Sequence, residues 1–102
     1  MQSYKLSVDA EKDLRDVARY TLNKWGKKTF EQYRSGLKAT FIAIAKDEVV
    51  RRSFSKKFPE LFVTKYKYHY VFYIRKDAIE PIIVGVIHER RDIVSRLSER
   101  LG

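Results

Sequence analysis

Apolar and polar side chains alternate through Tyr4, Lys5, Leu6, Ser7 and Val8, the period of a strand with one buried face. A first strand is expected there. Asp9 follows in position to cap a helix starting at about Ala10, with Glu11 and Asp13 set favourably against the helix dipole. Ala10, Leu14, Val17, Ala18, Thr21, Leu22 and Trp25 recur at intervals of three and four, while Lys12, Arg15, Asp16 and Arg19 fall largely elsewhere. This predicts an amphipathic helix buried along the first set. Gly26 closes it, since glycine tolerates the left-handed conformation that ends many helices. A second helical pattern starts within Lys27 to Thr29, where Thr29 and Gln32 suit a capping box, and carries Phe30, Tyr33, Leu37, Phe41 and Ile44 on one face. The short link predicts an antiparallel helix hairpin. Gly36 costs about 1 kcal/mol relative to Ala in a helix interior, and close packing against the first helix is its expected reason.

Residues 47–59 show no clean period and contain Arg51, Arg52, Lys56 and Lys57, so a basic loop is expected. From Glu60 the character changes. Leu61, Phe62, Val63, Tyr66, Tyr68, Tyr70, Val71, Phe72, Tyr73 and Ile74 are the aromatic and mostly β-branched residues that strands favour. Two strands fit, with a turn near Lys67 to His69. Lys76, Asp77 and Ala78 make the next turn, and Ile79 to Ile87 supplies a third strand, with Pro81 near its start or on an edge. Beyond His88, Ile93, Val94, Leu97 and Leu101 return to helical spacing behind Asp92, a plausible cap. The order β-α-α-β-β-β-α, a helix hairpin packed on an antiparallel sheet with the helices on one face, belongs to the α+β class.

The 102 residues suit one domain, 1–102, with a modest core. There is no cysteine, which removes disulfides, thiolate metal sites and cysteine nucleophiles from consideration. Met1 to Val8 lacks the pattern of a signal peptide, and no run of about 18 apolar residues suggests a membrane span. A cytoplasmic location without membrane partners is the default expectation. Lys and Arg total 22 against 13 Asp and Glu, a net charge of +9. Residues 1–50 carry ten basic and seven acidic groups and residues 51–102 twelve and six, so an acidic partner meets the stronger field in the second half. Nucleic acid, an anionic membrane surface and an acidic protein tail all suit that field.

This element order, together with Ala10 to Leu14, Tyr20 through Trp25 and Gly26, Tyr33, the Val71 to Tyr73 strand and the ending Val86 to Asp92, resembles the ParE toxins of the ParE/RelE superfamily. The resemblance covers nearly the whole chain. It implies the toxin of a type II toxin-antitoxin system, inhibition of DNA gyrase as the toxic act, and neutralisation by a ParD-like antitoxin whose disordered segment folds over it. It also leaves room for a homodimer or a heterotetramer with the antitoxin. On that reading Arg15, Arg19 and Lys24 offer charge to the antitoxin, and Tyr20, Ile42 and Val50 offer shallow apolar sockets. The toxic surface is expected on the basic C-terminal segment, at Arg90, Arg91 and Arg96, aided by Arg51 and Arg52, because the guanidinium fork holds carboxylate or phosphate at two points.

The RelE branch instead cleaves messenger RNA in the ribosome, which needs cations for phosphate charge and a proton-transferring Tyr or His near the C-terminus. Val94 stands about where a RelE-like tyrosine would fall, and Leu101 and Gly102 supply neither group. A binding protein rather than an enzyme is therefore expected, with a RelE-like endonuclease or a basic nucleic-acid-binding domain as the alternative. His69 and His88 are the only histidines, without ligand spacing to each other or to paired carboxylates, so neither metal nor cofactor is implied. His88 at a strand end reads as a structural hydrogen-bonding group. Trp25 and the tyrosines at helical spacing read as core.

Overall fold

The computed structural model describes residues 3–76 and 79–101. Its elements run β1 (Lys5–Leu6), α1 (Val8–Trp25), α2 (Lys27–Ala45), β2 (Arg52–Ser53), β3 (Leu61–Tyr66), β4 (His69–Ile74), β5 (Ile82–His88) and α3 (Ile93–Leu101). Asp77 and Ala78, part of the turn expected before β5, lie outside the described residues.

The five strands form one sheet in the order β1-β5-β4-β3-β2. Strands β3, β4 and β5 make the antiparallel meander that the sequence predicts. Two features differ. The expected basic loop contributes the antiparallel edge strand β2, and β1 runs parallel to β5, so the sheet is mixed. The architecture remains α+β.

Helix α1 starts two residues earlier than expected. The Ser7 N–H donates to the Ile83 carbonyl at 2.9 Å, which holds Ser7 extended as the chain leaves the sheet. Its hydroxyl accepts from the Ala10 N–H at 3.1 Å, so Ser7, not Asp9, is the N-cap. The expected Thr29–Gln32 capping box does not form either, because α2 already begins at Lys27, directly after Gly26, whose φ of 89° turns the chain between the helices. Gly36 gives room to β3 rather than to α1: a Cβ there would overlap the hydroxyl end of the Tyr66 side chain.

The sheet is covered on both faces. Ala10, Val17, Tyr33, Leu37, Phe41 and Ile44 of the hairpin pack with Val71, Tyr73, Ile83 and Val86. A second cluster joins Leu61, Phe72, Val84 and Ile87 to Leu97, with Ile93 and Leu101 alongside. Sheet residues alternate between the clusters, Val71 and Tyr73 in one and Phe72 in the other, so α3 covers the face opposite the hairpin. The expectation of helices on one face is corrected accordingly. Leu22 and Trp25, expected in the core, are 42% and 61% exposed, and Val94 is 65% exposed. The buried stripe of α1 is narrower and runs through Ala10, Asp13, Val17 and Thr21.

Asp13 is buried for a reason. Strand β1 covers β5 only at Ile82 and Ile83, which leaves the next stretch of that edge without a neighbouring strand. There Asp13 Oδ2 accepts from the Val86 N–H at 2.9 Å, and Arg100 Nη1 of α3 donates to the Val84 carbonyl at 3.2 Å. The two side chains meet in a bidentate pair of 2.7 and 2.8 Å. Their side chains are only 9% and 12% exposed. One ion pair thus closes the sheet edge and pins both ends of the chain to β5. Asp13, first in causing the shift, holds the Arg100 guanidinium above its ordinary pKa.

Candidate functional site

Four of the side chains expected to meet an antitoxin share the C-terminal two-thirds of α1. Arg15 is exposed, and Arg19 reaches Asp16 at 3.5 Å with both side chains largely in solvent, a pair worth about 0.3–0.5 kcal/mol. Lys24 Nζ donates to the Tyr20 hydroxyl at 3.0 Å and lies 5.5 and 5.4 Å from the ring centroids of Tyr20 and Trp25. Tyr20 keeps 55% of its surface exposed, beside Leu22 and Trp25. Ile42 is 39% exposed toward the far end of α2, about 15 Å from Tyr20 along the hairpin axis at 1.5 Å per residue. Val50, 77% exposed, sits on the loop after α2. The geometry therefore pairs Tyr20 with Lys24, leaves Arg15 and Arg19 one turn apart earlier on the same helix, and sets Ile42 and Val50 apart.

The five arginines expected on a toxic surface also divide. Arg90 and Arg91 lie in the turn after β5 with exposed side chains. That turn is built on His88: its Nδ1 accepts from the Arg90 N–H at 3.1 Å and its carbonyl from the Arg91 N–H at 2.9 Å. His88 thus has the structural role read from the sequence. Arg96 is half-buried in a cleft of about 630 Å³ between α1 and α3, which Asp9, Asp13, Asp16, Asp92 and Glu99 also line. Its charge is set among carboxylates rather than beside Arg90 and Arg91. Arg51 binds Asp47 through two hydrogen bonds of 2.9 and 2.8 Å and stands 5.6 Å from the Phe62 ring centroid. The Arg51 hydrogen bond holds the Asp47 carboxyl below its ordinary pKa. Arg52 is exposed on the edge strand β2. Asp92 caps α3 as expected, accepting from the Ser95 N–H at 3.2 Å and hydroxyl at 2.9 Å, which lowers its pKa.

Sequence reasoning treated the two histidines as unrelated, whereas strand pairing sets His69 directly opposite His88, with ring centroids 5.1 Å apart. His69 Nδ1 lies 2.5 Å from the Tyr33 hydroxyl, which also donates to the Tyr66 carbonyl at 3.3 Å. Burial, then the neighbouring His88, pushes the His69 pKa down to about 4. Burial raises Tyr33 to about 12. Neither value is matched to proton transfer near neutral pH. His69 and His88 stand at the ends of β4 and β5 farthest from the turn that joins them, so the contact follows from the register of that whole strand pair, which shifts at Phe72 and Tyr73. Among the described residues no group of three or more His, Cys, Asp or Glu is arranged to hold a metal ion.

Residues 4–93 match the family described as the ParE toxin of the type II toxin-antitoxin system, parDE. The chain belongs to the ParE toxin family. A Toxin ParE of Escherichia coli is 34% identical over 101 residues, covering 99% of this chain and 98% of that protein. Among solved structures, the chromosomal ParDE toxin-antitoxin system of P. aeruginosa superposes with a TM-score of 0.70 at 13% identity, over 86% of this chain and 96% of that one. A conserved hypothetical protein of Helicobacter pylori gives 0.51 at 18% identity, over 87% and 96%. At those identities the two structures speak to the fold. The family match ends at the first residue of α3, so Arg100 and its closure of the sheet edge lie beyond it in this ParE-family chain.

Proposed function

We propose that this ParE-family toxin acts by binding and inhibiting DNA gyrase, not by catalysis, and that a ParD-like antitoxin neutralises it in the cytoplasm. The observation that carries the reading is the rigid Arg90–Arg91 turn: two exposed guanidinium groups on a backbone fixed at both amides by His88. The buried titratable groups nearest to it, His69 and Tyr33, are held far from neutrality and locked in core contacts, which suits a binding surface better than an acid–base site. No helix of the described residues is long and apolar enough to cross a membrane.

The antitoxin is assigned to α1 at Arg15, Arg19, Tyr20 and Lys24, with a second anchor at Ile42 and Val50. An antitoxin helix of about ten residues spans the 15 Å or so between the two groups. Purified chain added to a gyrase supercoiling reaction, and in parallel to ribosomes translating a defined message, tests the proposal. Inhibited supercoiling with intact message supports it. Cleaved message with normal supercoiling overturns it in favour of a ribonuclease. The Arg90→Glu, Arg91→Glu double variant should stay folded, bind antitoxin and lose toxicity, whereas Arg19→Glu with Tyr20→Ala should weaken antitoxin binding and leave gyrase inhibition intact.

A further inference from the structure

The β3–β4 hairpin turns through Lys67 and Tyr68, with Lys67 at a φ of 50°. The Glu89 N–H donates to the Tyr68 carbonyl at 2.9 Å, which ties the segment after β5 to this turn and brings Arg90 and Arg91 beside it. One end of the sheet therefore collects Lys65, Lys67, Arg90 and Arg91 around Tyr68 and Tyr70. Against these four cations stands Glu89, which pairs with Lys65 at 2.7 Å, so four positive charges less one negative leave +3. Asp92 is engaged with Ser95.

The rings are as notable as the charges. Tyr68 is 60% exposed at the tip of the hairpin, a large aromatic surface that the fold does not use. Lys65 Nζ lies 5.2 Å from the Tyr70 ring centroid and Lys67 Nζ 5.6 Å from that of Tyr66, so ammonium groups already flank rings. Tyr66 is itself braced edge-on by Tyr33 at 5.0 Å. An acidic peptide needs the cations alone. A single-stranded nucleic acid uses both, its bases stacking on aromatic faces while its phosphates meet the cations.

We infer that this hairpin end is a binding surface for single-stranded nucleic acid, with Tyr68 as the stacking ring and Lys65, Lys67, Arg90 and Arg91 as phosphate contacts. The inference goes beyond the gyrase reading and does not rest on it. It is tested by fluorescence anisotropy of a labelled single-stranded DNA dodecamer over a range of salt concentrations. Tyr68→Ala should weaken binding on the order of tenfold with the salt slope unchanged, because a base–ring contact is lost and no phosphate contact is. Tyr68→Phe should bind as the wild type does. The Lys67→Ala, Arg90→Ala pair should reduce the slope of log affinity against log salt by about 1.4, from about 0.7 per phosphate contact on a single strand. Lys12→Ala with Arg15→Ala, on α1, should leave both quantities unchanged. Equal loss in the α1 pair would mean a diffuse attraction of a +9 protein and overturn the proposal. So would an inert Tyr68→Ala, no binding at low salt, or a polyglutamate peptide that binds the same residues as tightly, which would make the surface one for acidic protein.

Discussion

Replacing Arg100 by methionine keeps the stem of the side chain and removes the guanidinium that pairs with Asp13 and satisfies the Val84 carbonyl. Asp13, with its side chain 9% exposed, would then hold a buried carboxylate whose remaining hydrogen bond comes from the Val86 N–H. Breaking a buried pair from one side costs about 3–5 kcal/mol, against a total stability of about 5–15 kcal/mol for a domain. At about 4–8 °C per kcal/mol for a domain of this size, the melting temperature should fall by about 12–40 °C. Adding Asp13→Asn removes the stranded charge while the amide oxygen still accepts from Val86, so the double variant should lose only about 1–2 kcal/mol. The second substitution should thus rescue the first. Urea unfolding followed by far-UV circular dichroism at pH 7 measures both. A loss below about 1 kcal/mol for Arg100→Met, or a double variant less stable than the single one, would refute the edge-closure argument. Gly85 gives an independent check, since a Cβ there would come 2.8 Å from Arg100 Nη1: Gly85→Ala should destabilise the wild type more than the Arg100→Met protein.

Gly36→Ala should destabilise the fold although alanine favours the helix by about 1 kcal/mol, because overpacking against Tyr66 costs about 1–3 kcal/mol. In a Tyr66→Ala background the same change should stabilise, as urea midpoints will show. The Tyr73 hydroxyl is buried without a hydrogen-bond partner among the described residues, so Tyr73→Phe should raise stability by about 1 kcal/mol in the same assay. His69 binds a proton at about pH 4 in the folded state but near its ordinary 6.5 when unfolded, so its contribution is complete above that value and declines as pH falls toward 4. Stability should be up to about 1 kcal/mol lower at pH 5.5 than at 7, less whatever solvent screening removes. His69→Gln should flatten that step, and an unchanged profile would refute the assignment.

The helices, though not their first turns, and the meander were legible because each rests on local period. The second cover of the sheet was also signalled. Tyr70 to Ile74 and Ile82 to Ile87 are nearly unbroken apolar runs rather than alternating ones, as expected of strands buried on both faces. Such runs require something opposite the hairpin, and α3 supplies it with Leu97. Strand β2 had no signal, since Arg52 and Ser53 are both exposed and two residues carry no period. Trp25 was misread because a helical stripe says which side is apolar and not where the sheet beneath it ends. Asp13 was assigned to the dipole although it shares the buried face with Ala10, Val17 and Thr21 at spacings of three and four. A carboxylate in that register demands a cation, but its partner is 87 residues away, beyond the reach of any local pattern.

The same limit explains why the arginines of the sequence could not be sorted before the fold was known. Availability depends on what each guanidinium already holds, and that is a tertiary property. Arg51 is committed to Asp47 and Arg96 is set among carboxylates, while Arg90, Arg91 and Arg52 point outward from a turn and an edge strand. Charge reversal at Arg96 would therefore place a sixth carboxylate in the α1–α3 cleft and act first on stability, through like-charge repulsion. Charge reversal at Arg90 and Arg91 removes exposed cations whose backbone amides, not their side chains, hold the turn, and so acts first on binding. A loss of toxicity means something different at each place, and only the second, with the fold intact, identifies the surface that touches the target.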